Sequence, residues 1–294
     1  MTDLSRYSIL QNVSPRDIRR DPFPHIVIDP CLPHELYAEL SGAYPTDEVI
    51  LGIGEDRTSR RTRPNSRHDV GAHQILSRPE KFSEGWRDFA AYHTSPQFFA
   101  EVIALFGSDI RATYPALDDR LGQAMEAWTP GVRYAPGWRD HHVALDCHIG
   151  INTPTVRASS VRRIHTDAPD ELFAALFYFR QVEDLASGGD FEIFRWKPGR
   201  DRLFVGSEID EIDAEHVITI PYRPNTAVLF LNSDQSLHAV SRRDPSPVSR
   251  RLVNVMGRVP HSIPEGLFSK RQKPGVVAAA RRVLLRYRAA TDRF

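Results

Sequence analysis

Residues 164–179 read Ile164-His165-Thr166-Asp167-Ala168-Pro169-Asp170-Glu171-Leu172-Phe173-Ala174-Ala175-Leu176-Phe177-Tyr178-Phe179. Leu172 to Phe179 is a dense apolar run of strand length, and His165-Thr166-Asp167 stands just ahead of it. In extended chain, residues two apart point to the same side, so His165 and Asp167 can present an imidazole and a carboxylate together. The same texture continues outward. Short strand-like runs recur at His142–Ile151, Asp190–Trp196, His216–Ile220, Thr226–Leu231 and Leu252–Val259, with a Gly188-Gly189 turn before the second. Regular short strands predict a β-sandwich or barrel over roughly 138–260. Upstream, Phe23–Asp29 reads as a strand bracketed by prolines. Leu32, Leu36 and Leu40 recur at helical spacing, and helical patterns dominate from Pro79 to Ala127. A basic helix over Val276–Arg288 is expected to close the chain. The predicted class is α+β.

Composition excludes several functions. The 294 residues are 41% hydrophobic and 26% charged, ordinary for a globular protein with a sizeable core. Lys+Arg 38 balances Asp+Glu 38, so no global positive field recruits nucleic acid or an anionic membrane. Cys31 and Cys147 form no CxxC pattern, which argues against a disulfide framework or a zinc ribbon. No stretch offers ~18 uninterrupted apolar residues for a membrane span. The N-terminus lacks a basic segment followed by an apolar one, so the expected address is the cytoplasm. One domain over 1–294 is expected: a mostly helical part with a first strand (1–137), a β-core (138–260) and a C-terminal helix (261–294).

Chemistry needs a third group from a distant strand. His238, in Ser236-Leu237-His238-Ala239-Val240, would complete two histidines and one carboxylate on one face of a metal. That donor set, with three positions left open, is the facial triad of non-haem Fe(II) oxygenases. Downstream, Ser249-Arg250-Arg251-Leu252 places two arginines at a strand start, and alternation sends one of them inward. A guanidinium near such a metal suits a dicarboxylate cosubstrate, which it can clamp bidentately.

With these residues the sequence resembles the 2-oxoglutarate- and Fe(II)-dependent oxygenases, on their prolyl-4-hydroxylase-like branch. The family pattern is matched by His165, Asp167, His238 and Arg251 in that order, Arg251 being preferred to Arg250 because it directly precedes Leu252. Tyr178, in Phe177-Tyr178-Phe179, is similar to the family tyrosine that bonds the far carboxylate of 2-oxoglutarate. The Gly188-Gly189 turn and the Phe23–Asp29 entry strand are also similar. The resemblance implies a double-stranded β-helix (jelly-roll) core with N-terminal helices. It implies Fe(II) held by His165, Asp167 and His238, with 2-oxoglutarate and O2 as cosubstrates and succinate and CO2 as products. Asp167 favours hydroxylation over halogenation, since family halogenases carry a small residue there.

Other features carry weaker expectations. Five arginines (Arg57, Arg60, Arg61, Arg63 and Arg67) crowd residues 52–71, which read as a solvated loop or as a lid over an anionic substrate. Arg157, Arg162 and Arg163 would suit the same anion. A small-molecule substrate, for example a sugar acid or a nucleotide-linked or carrier-bound intermediate, is therefore expected. A peptidyl substrate and homo-oligomerisation stay open. Two competitors remain, a cupin-like metalloprotein without 2-oxoglutarate and a non-catalytic jelly-roll binding protein. His141-His142 is not expected to hold one ion, because neighbours on a strand face opposite ways.

Overall fold

The computed structural model describes residues 3–53, 55–56, 63–200, 208–259 and 266–268. Helices occupy the N-terminal part: α1 (His34–Gly42), α2 (Asp47–Ile53), α3 (Ala72–Leu76), α4 (Glu84–His93), α5 (Pro96–Thr113) and α6 (Leu117–Leu121). Their starts have local causes. Ser83 and Ser95 cap α4 and α5 by accepting from the backbone N–H groups of Trp86 and Phe98, and Pro96 opens α5 where its missing N–H costs nothing. Phe98, Phe99, Val102, Phe106 and Ile110 then bury one stripe of α5.

Among the described residues the strands are β1 (His25–Ile28), β2 (Glu55–Asp56), β3 (Arg67–Val70), β4 (Pro130–Val132), β5 (Val143–Asn152), β6 (Glu171–Tyr178), β7 (Phe191–Trp196), β8 (Ala214–Ile220), β9 (Ala227–Leu231), β10 (His238–Val240) and β11 (Arg250–Arg258), several of them, such as β5 and β9, buried along their whole length. The larger sheet runs β1-β9-β6-β11-β5-β3-β2, with β4 parallel to β5; the smaller runs β10-β7-β8. One face of the larger sheet packs on the helices. There Val253, Val255, Cys147, Ile149, Ile151 and Phe177 join Trp86, Phe89 and Phe98 in the principal core. The other face meets the smaller sheet through Tyr178, Leu252, Val228 and Phe230 on one side and Phe191 and Ile193 on the other. Tyr44 fastens the helical layer: its hydroxyl lies 2.8 Å from Gly150 O and 2.9 Å from Leu252 O.

The arginine-rich stretch departs from expectation at its C-terminal end. Instead of continuing a loop, Arg67–Val70 pairs along β5 and is largely buried. The reason lies in its inward residues. Arg67 and Asp69 face the space between the sheets and pair with each other, so no apolar alternation marks the strand. Arg57, Arg60 and Arg61, and the expected C-terminal helix, lie outside the described residues.

Candidate metal centre and its surroundings

His165 and His238 face each other across an antiparallel bridge. His165 N donates to His238 O (2.9 Å), and His238 N donates to His165 O (3.0 Å). Backbone pairing therefore sets the rings side by side, centroids 4.2 Å apart, and Asp167 follows two residues on. Each ring is oriented from behind. His165 Nδ1 lies 2.7 Å from Arg163 O and His238 Nδ1 lies 2.9 Å from Ser236 O. A carbonyl only accepts, so both Nδ1 atoms carry the hydrogen and both Nε2 lone pairs point forward. Those Nε2 atoms each stand 3.5 Å from one oxygen of Asp167, and the three donor atoms lie within 4.8 Å of one another. Phe191 stacks on His238 at 5.1 Å and Phe230 tilts against it at 4.8 Å, which excludes water from one flank.

The protonation states suit a cation. Burial, reinforced by the neighbouring His165, pushes the His238 imidazole down to about 4, so it is neutral near pH 7. Burial alone would raise the Asp167 carboxyl, but His238, His165 and Arg162 outweigh it and hold it below the usual carboxylate range. A neutral imidazole at His238 and an ionised carboxylate at Asp167 converge with the His165 ring, a donor set that suits a divalent first-row metal. Among the described residues this is the one cluster with such geometry.

Register separates the two arginines. On β11 the residues facing the smaller sheet are Arg250, Leu252, Asn254, Met256 and Arg258, since Leu252 packs with Tyr178 and Phe191. Arg250 is 2% exposed, its guanidinium 5.0 Å from the Tyr178 ring and 4.7 Å from the Tyr222 ring. Arg251 turns to the helical side, over Tyr44 at 5.0 Å. Arg250 Nε donates to Gly189 O (2.8 Å) and Nη1 to Asn152 Oδ1 (3.1 Å). Arg250 Nη2, Tyr178 Oη and Asn152 Nδ2 are buried without a partner among the described residues. Three unpaired donors gathered round one guanidinium are costly unless an anion takes them. Burial raises the Tyr178 hydroxyl to about 12 against the opposing charge of Arg250, so it stays a donor.

Glycine geometry and a second ion pair seat Arg250. Gly188 and Gly189 both have φ near +80°, and a Cβ on Gly189 would stand 3.1 Å from Arg250 Cδ. Behind them Arg243 donates to Asp184 Oδ2 (2.8 Å) and to Val248 O (2.8 Å), both ionic groups being 1% exposed. The sequence reading missed Asn152, Asp184 and Arg243. No local pattern marks them, because each acts through a residue about 60 to 100 positions away. His148 reads from the sequence as a satisfied core or surface histidine rather than a ligand, and in the structure it is buried with its Nε2 2.8 Å from Asp146 Oδ2, a partner two residues away on β5 that the sequence reading does not single out. His142 stands by Gln123 and Thr129 and takes no part in the triad.

No family model matches the chain, and no curated protein does. Among solved structures it is similar to a prolyl 4-hydroxylase from Phytophthora capsici: TM-score 0.47, 16% identity, over 88% of this chain and 66% of that one. It is also similar to the non-heme alpha-ketoglutarate-dependent carbocyclase SnoK from nogalamycin biosynthesis, with TM-score 0.45, 15% identity and coverage of 85% and 86%. A prolyl-4-hydroxylase from Pseudomonas putida gives TM-score 0.42 and 14% identity over 81% and 93%. All three fall below a TM-score of 0.5, so the chemistry assigned to this chain rests on its own triad and buried donors.

Proposed function

We propose that the protein is a 2-oxoglutarate- and Fe(II)-dependent dioxygenase that hydroxylates an unactivated C–H bond of a small organic substrate. The carrying observation is the pairing of two forward-facing Nε2 atoms with the Asp167 carboxylate, all within 4.8 Å. In this reading the two sheets are the halves of a double-stranded β-helix, and His165, Asp167 and His238 hold the iron. Bound Fe(II) supplies the activation of O2, by which 2-oxoglutarate becomes succinate and CO2 while one oxygen atom enters the substrate C–H bond.

The chain's own residues bind and orient. Arg250, with Tyr178 Oη and Asn152 Nδ2, receives the far carboxylate of 2-oxoglutarate, and the clamp is assigned to Arg250 in place of Arg251. Phe191 and Phe230 keep one side of the metal ligands dry. Of the arginine-rich stretch, Arg67 pairs with Asp69, while Arg57, Arg60 and Arg61 lie outside the described residues.

Replacing His165, Asp167 or His238 by Ala should abolish Fe(II)-dependent succinate release while leaving the circular dichroism spectrum intact. Full turnover in any of the three variants would overturn the assignment.

A further inference from the structure

Arg67 stands in the same interior row as two groups assigned above to the far carboxylate of 2-oxoglutarate. On the ladder of β3, β5 and β11 it lies opposite Asn152, and Asn152 lies opposite Arg250. The three side chains therefore leave neighbouring strands at one level and on one face of the sheet. Gly150, the next residue along that face of β5, keeps the lane between them open. A Cβ there would collide with Asp69 Oδ1 and stand 3.2 Å from Arg67 Nε. Arg67 thus leans over β5, the strand that separates it from Arg250.

Two guanidiniums on one side of a buried strand repel each other. Burial, with repulsion from Arg67 and Arg243, holds the Arg250 group below its ordinary value, against the pull of Tyr178 and Tyr222. The nearby acids are already engaged. Asp69 accepts from Arg67 Nε and Asp184 pairs with Arg243, while Asp190 accepts from Tyr222 N (2.8 Å) and from the Ser241 hydroxyl (3.1 Å). Arg250 itself has no carboxylate partner among the described residues, only the Gly189 carbonyl, the Asn152 amide oxygen and two ring faces. Asp69 occupies Nε of Arg67 alone, and both Nη groups are without a hydrogen-bond partner among the described residues. Exposure grades the two cations. Arg250 is 2% exposed and the Arg67 side chain 27%, so an anion arriving from solvent meets Arg67 before Arg250.

We propose that Arg67 is a second guanidinium for the cosubstrate. Its Nη groups bond the far carboxylate of 2-oxoglutarate together with Arg250, so that one anion relieves the repulsion between two cations. The site then selects 2-oxo acids that carry negative charge at the far end. This role rests on the oxygenase reading above and adds to it a residue whose neighbours in sequence suggested a substrate lid instead.

The test is anaerobic calorimetry of the Fe(II)-loaded protein with 2-oxoglutarate and with 2-oxopentanoate, a 2-oxo acid of the same chain length that ends in a methyl group. The double variant Arg67→Gln with Asp69→Asn removes both charges together, so no buried carboxylate is left unpaired. It should bind 2-oxoglutarate about tenfold more weakly than the parent, and 2-oxopentanoate within about twofold of it. The salt dependence of 2-oxoglutarate binding should also flatten, because a partly exposed charge has been removed. Arg67→Lys keeps the charge beside Asp69 but loses the fork, and should weaken 2-oxoglutarate about threefold; should the double variant unfold, this one decides. An Arg67 that only neutralises Asp69 predicts the same change for both 2-oxo acids. Unchanged 2-oxoglutarate affinity, or a loss shared equally by the two ligands, overturns the role of Arg67 and leaves the oxygenase reading standing. A parent protein that binds no 2-oxoglutarate overturns that reading, and the role of Arg67 with it.

Discussion

Arg250 and Arg251 sit one residue apart, and their different fates follow from a half-turn of the strand. Arg250 points between the sheets and meets Tyr178, Tyr222 and Asn152, while Arg251 lies over Tyr44 on the helical face. Arg250→Ala should therefore reduce 2-oxoglutarate affinity by about 1.5–3 kcal/mol, the usual cost of a charge-assisted contact. Tyr178→Phe should cost less, about 0.5–1.5 kcal/mol. Arg251→Ala should leave the affinity near that of the parent protein. Anaerobic calorimetric titration of the Fe(II)-loaded protein with 2-oxoglutarate measures all three. A silent Arg250→Ala beside a damaging Arg251→Ala would refute the register argument.

The connection between β6 and β7 illustrates how an element serves a residue it does not contain. Arg180 holds the carbonyls of Asp184, Ala186 and Tyr222, and Arg243 reaches in from beyond β10 to pair with Asp184. This fixes the Gly188-Gly189 turn, whose carbonyl at Gly189 receives Arg250 Nε. Arg243→Ala would leave the Asp184 carboxylate buried and uncompensated, so a destabilisation of about 3–5 kcal/mol is expected in urea unfolding. Gly189→Ala tests the turn in another way. It forces a left-handed alanine against Arg250 Cδ, and should weaken 2-oxoglutarate binding as well as lower Tm.

At the scale of the whole molecule, the helical layer hides a titratable group in the core. His93, at the end of α4, has Nδ1 2.8 Å from Phe89 O, and its Nε2 accepts from Ile9 N at 3.4 Å. Burial pushes its imidazole down to about 3 from an ordinary 6.5. The sign is that of a group hard to protonate when folded. Above pH ~6.5 the imidazole is neutral in both states and contributes no pH dependence; below it, only the unfolded chain takes the proton. Stability should therefore fall as pH drops from about 6.5 toward 3, by up to roughly 1.4 kcal/mol per pH unit from this residue. Urea midpoints of the metal-free protein measured between pH 7.5 and 5 should show this slope. In His93→Gln the slope should be shallower, whatever the variant's stability at pH 7.5.

Local order was legible in the sequence wherever neighbours along the chain carry the signal. Strand-length apolar runs, the proline-bracketed first strand and the N-terminal helices follow from periodicity. The two-residue spacing of His165 and Asp167 already places an imidazole and a carboxylate on one side. What periodicity does not encode is pairing between distant segments. That His238 lies across a two-bond bridge from His165, that Arg250 and not Arg251 turns inward, and that Arg67–Val70 is a buried strand were decided by sheet register. The same holds for Asn152, Asp184 and Arg243, which are ordinary polar residues until folding removes them from water. Sequence patterns report solvent-facing alternation one strand at a time. A polar interior between two sheets hides that alternation, and only the tertiary structure shows which buried charges meet.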